Sequence, residues 1–169
     1  MTFSDLADRL TPARIALALA ISAAAVLAGA WVFQYFGYPP CDLCLQQRWA
    51  YYAGAPLAVG TALVARMEWR RMSLSGFLLL AALFFGNSVF GAWHAGVEWG
   101  FWPGPAGCTG SFAPMGDMRD FMRSMEATRL VRCDEVALRI LGLSLAGWNA
   151  VICAAFSCLA IIGAAHARK

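Results

Sequence analysis

Four long apolar runs set the pattern of the chain. Ile15 to Phe33 contains no charged residue, and the same is true of Leu74 to Trp93 and Ile140 to Ala165. A further run, Leu45 to Ala65, is interrupted near its start by Gln46, Gln47 and Arg48 and is otherwise apolar. Runs of about 20 apolar residues are what a helix needs to cross roughly 30 Å of hydrocarbon. The pattern predicts an all-α membrane protein, a four-helix transmembrane bundle formed by one domain over residues 1–169. The expected spans lie at about 14–34, 45–65, 74–94 and 140–165, with outer loops at about 35–44 and 95–139.

The flanks refine these spans. Thr11-Pro12 is a helix-start signal, with proline in the first turn. Trp31, Phe33, Tyr35, Phe36 and Tyr38 form an aromatic belt where the first span leaves the bilayer. A cleaved signal peptide would have a shorter apolar region of about 7–15 residues, so the first run reads as a retained helix. Gly54, Pro56 and Gly60 suggest a kinked second span packed closely on its neighbours. Asn87 and Ser88 are expected to hydrogen-bond between helices.

Within the long second loop, Met115, Met118, Phe121, Met122 and Met125 recur at helical spacing, with Asp117, Arg119, Asp120, Arg123, Glu126 and Arg129 opposite them. Pro114 to Arg129 is too short and too charged to span. It is expected as a short interfacial helix with its apolar stripe in lipid; a partner-binding face is the alternative.

Composition agrees with the pattern. The 169 residues are 60% hydrophobic and 14% charged, against about 25% charged in a soluble domain. The net charge of +3 comes without a polybasic run, which argues against nucleic acid as a partner. The short flanks carry Arg9 and Arg14, then Arg66, Arg70 and Arg71, then Arg168 and Lys169. The positive-inside rule puts these flanks, and both termini, in the cytoplasm. Cys41, Cys44, Cys108 and Cys133 then face the outer side, which in a bacterium is the oxidising periplasm.

The chemistry centres on Pro39-Pro40-Cys41-Asp42-Leu43-Cys44-Leu45-Gln46-Gln47-Arg48. Two cysteines three positions apart can form a small reactive disulfide. The prolines end one segment just before an apolar run, so the pair is expected at a helix start, where a thiol's pKa is lowered. Arg48 follows Cys44 by one helical turn and shares its face. A structural staple is a poorer reading, because a loop this short adds little by closure. A zinc site would call for a second clustered pair, and no metal is expected.

Cys108 and Cys133 enclose the long loop as either a structural disulfide or a second, mobile redox pair; beside an outward Cys-x-x-Cys, a relay is the better reading. Cys153 and Cys158 lie deep in the fourth run, where free cysteine behaves as a small hydrophobe, and no chemistry is expected of them.

These features together resemble the DsbB family of inner-membrane, quinone-dependent thiol oxidases. The resemblance covers nearly the whole chain: four spans, Cys-x-x-Cys before the second with arginine four residues on, a second outer loop with paired cysteines, and Trp93-His94-Ala95-Gly96-Val97-Glu98-Trp99-Gly100-Phe101-Trp102-Pro103-Gly104-Pro105 leading to Cys108. The resemblance implies a multi-pass protein of the bacterial inner membrane that reoxidises a periplasmic DsbA-like thioredoxin-fold partner and passes electrons to ubiquinone or menaquinone. It implies that the partner's thiolate attacks Cys108, that the released Cys133 attacks Cys41, and that Cys44 is left as the thiolate facing the quinone. It assigns Arg48 to the quinone site, and His94 falls where a quinone-site histidine is expected, although a histidine at a helix end needs no such role. The competing class is a non-enzymatic four-helix membrane scaffold with structural outer disulfides or a metal site.

Overall fold

A computed structural model describes residues 11–105, 108 and 132–168. Four helices make up most of it: α1 (Pro12–Tyr35), α2 (Asp42–Arg66), α3 (Arg70–Glu98) and α4 (Leu145–Arg168). A two-stranded hairpin, β1 (Arg139–Ile140) and β2 (Leu143–Ser144), precedes α4. The chain is thus an all-α membrane protein in which the strands are a minor feature. α1, α3 and α4 are each long and apolar enough to cross a membrane. α2 has comparable length, 25 residues, and carries Gln46, Gln47 and Arg48 in its second turn.

Local chemistry explains the helix ends. Thr11 caps α1, its hydroxyl accepting the Arg14 N–H at 3.4 Å, which satisfies one of the orphan donors of the first turn. α3 begins four residues before the expected span and continues one turn past it to Glu98, so His94 lies inside a helix and not at its end. α4 begins at Leu145, five residues later than the apolar run. Between the strands, Leu141 and Gly142 have φ of 51° and 84°, the two-residue turn with both central φ values positive that matches strand twist. Ser144 then caps α4, its hydroxyl accepting the Gly147 N–H at 3.1 Å. The expected interfacial helix at Pro114–Arg129 lies outside the described residues.

α3 packs most extensively on α4, and α1 on α2. Arg70 at the start of α3 donates to the Arg168 carbonyl at the end of α4, 2.7 Å away, so the two helices run antiparallel. The core is built from Ile15, Leu19, Tyr51, Phe77, Leu80, Phe84 and Cys153. The Phe84 ring meets Phe156 edge-on, with centroids 5.1 Å apart. Gly54 lies directly under the Phe84 ring and Gly163 under the Phe77 ring, where a β-carbon would collide. Such small-against-large contacts let helices approach closely where lipid offers no hydrophobic drive for their association. Ser88 donates to the Ala150 carbonyl at 2.8 Å and Asn87 to the Gln47 carbonyl at 3.2 Å, so both act between helices as expected. Trp31, Trp49, Leu79, Phe85 and Ile161 point outward, where a bilayer would cover them.

Candidate redox site

The Cys-x-x-Cys pair sits at the first turn of α2. Pro39-Pro40 hold the approach extended, and Cys41 is the N-cap with φ −76° and ψ 170°. Its sulfur takes the place of a capping oxygen and accepts the Cys44 N–H at 3.3 Å. The two sulfurs are 2.8 Å apart with no bond between them. The hydrogen bond shared between the two sulfurs favours negative charge on Cys41, and the His94 ring, 3.7 Å away, adds a second. Together they bring the Cys41 pKa from 9.0 down to about 5, against the opposing effect of burial. Charge in the reduced pair is therefore favoured on Cys41 and opposed on Cys44, whose thiol is pushed up by the same contact and by burial.

Cys108 and Cys133 form a disulfide with Cα atoms 5.4 Å apart, a spacing ordinary for such a bond. Cys133 is 1% exposed. This disulfide packs against Cys41, Leu43 and Cys44, with Phe90 and Trp93 of α3 completing one apolar cluster. Phe90 and Trp93 stack with centroids 5.9 Å apart. Two cysteine pairs far apart in sequence thus share one desolvated nest, and His94 touches both: its ring meets the Cys41 sulfur and the Cys133 backbone.

Behind His94 runs a line of neutral polar side chains. Gln47 Nε2 meets His94 Nδ1 at 2.8 Å. Asn149 Nδ2 donates to Gln47 Oε1 at 2.8 Å, and the Tyr51 hydroxyl donates to Asn149 Oδ1 at 2.5 Å. Asn87 and Tyr51 both contact the Cys153 sulfur, at 3.2 and 3.1 Å. Three helices contribute to this line, and every member finds a partner, as burial of polar groups in an apolar bundle requires.

The line borders a cavity of about 360 Å³ between α1, α2 and α4, lined by Leu27, Phe33, Cys44, Arg48, Trp148 and Ile152 among others. Its walls are mostly apolar, with Cys44, Gln47, Arg48, Tyr51 and Asn149 as the polar groups. Arg48 spans to α1, donating to Gln34 Oε1 at 2.9 Å and to the Ala30 carbonyl at 3.3 Å. The hairpin closes one side: Ile140 lines the cavity, and the Trp148 indole donates to the Ile140 carbonyl at 2.8 Å.

A family model described as "Disulfide bond formation protein DsbB" matches residues 12–163. The chain belongs to the DsbB family. Among curated relatives, "Disulfide bond formation protein B" of Verminephrobacter eiseniae (strain EF01-2) is 29% identical over 161 residues, covering 90% of this chain and 82% of that protein. No solved structure matches. Family membership makes this a membrane protein of disulfide bond formation.

In this DsbB-family chain the structure gathers Cys41, Cys44, Cys108 and Cys133 into one cluster and puts Arg48 on the cavity with Cys44. His94 faces Cys41 and Gln47 rather than the cavity. The donor atoms of Cys41, Cys44 and His94 lie within 4.8 Å of one another, a set that could also hold a metal ion. Sequence reasoning gave Gln47, Asn149 and Tyr51 no role and took Cys153 for a small hydrophobe. The available signal was Gln47 and Asn149 themselves, amide side chains inside apolar runs, which are costly there without a partner.

Proposed function

We propose that the protein is a quinone-dependent thiol oxidase that keeps a periplasmic, DsbA-like thioredoxin-fold partner oxidised. The carrying observation is that both cysteine pairs pack in one cluster while Cys44 also opens onto an apolar cavity. The partner's thiolate attacks Cys108, forming a mixed disulfide and releasing Cys133. Cys133 attacks Cys41 and releases the electron pair onto Cys44. The partner's second thiolate then displaces Cys108, which attacks Cys133, re-forms the Cys108–Cys133 bond and releases Cys41 as a thiolate. The net result is one disulfide in the partner, two electrons and two protons on the Cys41/Cys44 pair.

The cavity suits a quinone head group: its walls are mostly apolar, with a few polar side chains among them. Ubiquinone or menaquinone would supply the acceptor for the electron pair and its two protons. A strong acceptor is required, because a DsbA-type partner has a potential near about −120 mV, above common thiol pools. Cys44 and Arg48 would face it, with the guanidinium providing fixed positive charge in a low-dielectric wall. Arg66, Arg70, Arg71 and Arg168 flank the helix ends away from Cys41. This separation supports a bacterial inner-membrane protein with both termini cytoplasmic and the redox cysteines periplasmic.

The Cys41/Cys44/His94 cluster favours one second reading, a metal site in a non-enzymatic scaffold. Three ligands fall short of the four of a structural zinc site. The deciding experiment supplies the purified full-length protein with a reduced thioredoxin-fold partner and a soluble quinone. Quinol should form in step with partner disulfide. Absence of quinol formation, with metal co-purifying at one ion per chain, would replace the oxidase by the scaffold.

A further inference from the structure

Gln47 is buried at the crossing of α2, α3 and α4, and each polar atom of its amide is used. Its oxygen accepts from Asn149, so its nitrogen is the atom that faces His94 Nδ1. Asn149 is fixed in turn, because the Tyr51 hydroxyl donates to its oxygen. A nitrogen that receives a hydrogen bond carries no proton, and in a neutral imidazole the other nitrogen then does. That other nitrogen, Nε2, points at the Cys41 sulfur.

We propose that Gln47 is a positioning residue that holds His94 in the Nε2–H tautomer, and that this N–H makes Cys41 the leaving sulfur of the exchange with Cys133. The inference rests on the thiol-oxidase reading and deepens it. In the step concerned, the Cys108 thiolate attacks Cys133, the Cys108–Cys133 bond forms, and the Cys133–Cys41 bond breaks. The electron pair goes to Cys41, where the His94 N–H is already in place to receive the charge. No proton has to move. A thiolate stabilised in this way leaves faster. The arrangement with Cys108–Cys133 bonded and Cys41 and Cys44 free is the product side of that step.

The opposite tautomer would turn a lone pair towards the departing sulfur and oppose the step. The groups that share charge with His94 are Cys41 at the α2 cap and Glu98 one turn further along α3; Glu98 in turn meets Ser144 and Arg139 of the hairpin. The α4 contribution, Asn149 acting through Gln47, is neutral.

The test uses the reduced full-length protein in lipid nanodiscs, with ¹⁵N-labelled histidine. The chain has two histidines, so a His166→Gln background isolates His94. ¹⁵N shifts should show a bare Nδ1 and a protonated Nε2. Alkylation of Cys41 against pH, located by mass spectrometry, should show a low midpoint. Gln47→Leu should lose the single-tautomer signature and raise the Cys41 midpoint by about one to two pH units, the size of one hydrogen bond to a charged group. Gln47→Glu should protonate Nδ1 as well, since a carboxylate accepts there. The imidazolium keeps its N–H on Cys41, so the low midpoint should survive.

Asn149→Leu frees the Gln47 amide to turn and should shift both readouts in the same direction as Gln47→Leu. It also serves if that variant fails to fold. Unchanged shifts and midpoints in a folded Gln47→Leu or Asn149→Leu protein would overturn the proposal. Neither readout uses quinone or partner, so its failure leaves the oxidase reading standing, and failed quinone reduction leaves this result intact.

Discussion

The four helices carry two kinds of seam, one at each end of the bundle. Towards Arg70 and Arg168 the contacts are mostly apolar, with Phe77, Leu80, Ala160 and Gly163 packed ring on glycine, and the buried hydroxyls of Thr61 and Ser157 bond backbone carbonyls rather than other side chains. Towards Cys41 the same helices meet through Gln47, Asn87, Tyr51, Asn149 and His94, all hydrogen-bonded. The first seam is close-packed, and its cost of disruption is a cavity. The second holds buried polar side chains, each of which needs a partner where an apolar side chain would need none. The polar seam lies between the two sites where chemistry is expected, the cysteine cluster and the cavity. The difference assigns stability to one end and reactivity to the other, and substitutions at the two ends should therefore fail in different ways.

The largest separation should come from Cys133→Ala. Removing the resolving thiol should abolish turnover and trap the partner as a mixed disulfide on Cys108. Non-reducing gels with peptide mapping check this; an adduct on Cys41 would reverse the proposed order of transfer. The opposite failure is expected from Phe77→Ala. Its ring is fully buried on Gly163, and its loss should cost about 3–5 kcal/mol. Thermal denaturation in detergent should show that loss, while the Cys41 alkylation profile of the folded fraction stays as in the parent. A Phe77→Ala protein of parental stability but altered thiol reactivity would erase the distinction between the seams.

Much of the apolar end was legible in the sequence, and little of the polar seam was. Uninterrupted runs such as Leu74 to Trp93 announce a helix because length and apolarity alone decide the matter in a membrane. The cap at Cys41 was legible too, since two prolines followed by an apolar run leave few alternatives. The start of α4 was misplaced because Ile140, Leu141 and Leu143 are as apolar as the helix that follows. Only Gly142 marked the turn, and a lone glycine in such a run is a weak sign. The family resemblance put His94 at the quinone site, and its place in the sequence read otherwise as a histidine at a helix end. Its direction depends on α3 continuing to Glu98 and on Gln47 reaching it from another helix. Contacts between residues 47 positions apart leave no periodicity to read. The same holds for Cys153, which counts as a hydrophobe by position and meets Tyr51 and Asn87 only in three dimensions.

The smallest effect, and the one that sharpens the comparison most, should come from Arg48. It belongs to both descriptions: it ties α2 to α1 through Gln34 and the Ala30 carbonyl, and it lines the cavity with Cys44. If tying is its whole contribution, Gln34→Leu should reproduce most of the loss seen in Arg48→Ala, because it removes the shorter of the two hydrogen bonds, 2.9 Å against 3.3 Å. If the guanidinium serves the cavity, Gln34→Leu should be mild while Arg48→Ala raises the quinone KM about tenfold, equivalent to about 1.4 kcal/mol. Arg48→Lys should fall between them. Lysine retains the charge but can reach Gln34 and the Ala30 carbonyl only as a single point donor, without the planar fork that bonds both at once. Steady-state quinone reduction at varied quinone concentration separates these cases. Formation of the mixed disulfide at Cys108 should be equal in all three variants, since Arg48 makes no hydrogen bond to either cysteine pair among the described residues. Similar losses in Gln34→Leu and Arg48→Ala would move Arg48 to the structural side of the comparison and leave Cys44 as the reactive group on that wall.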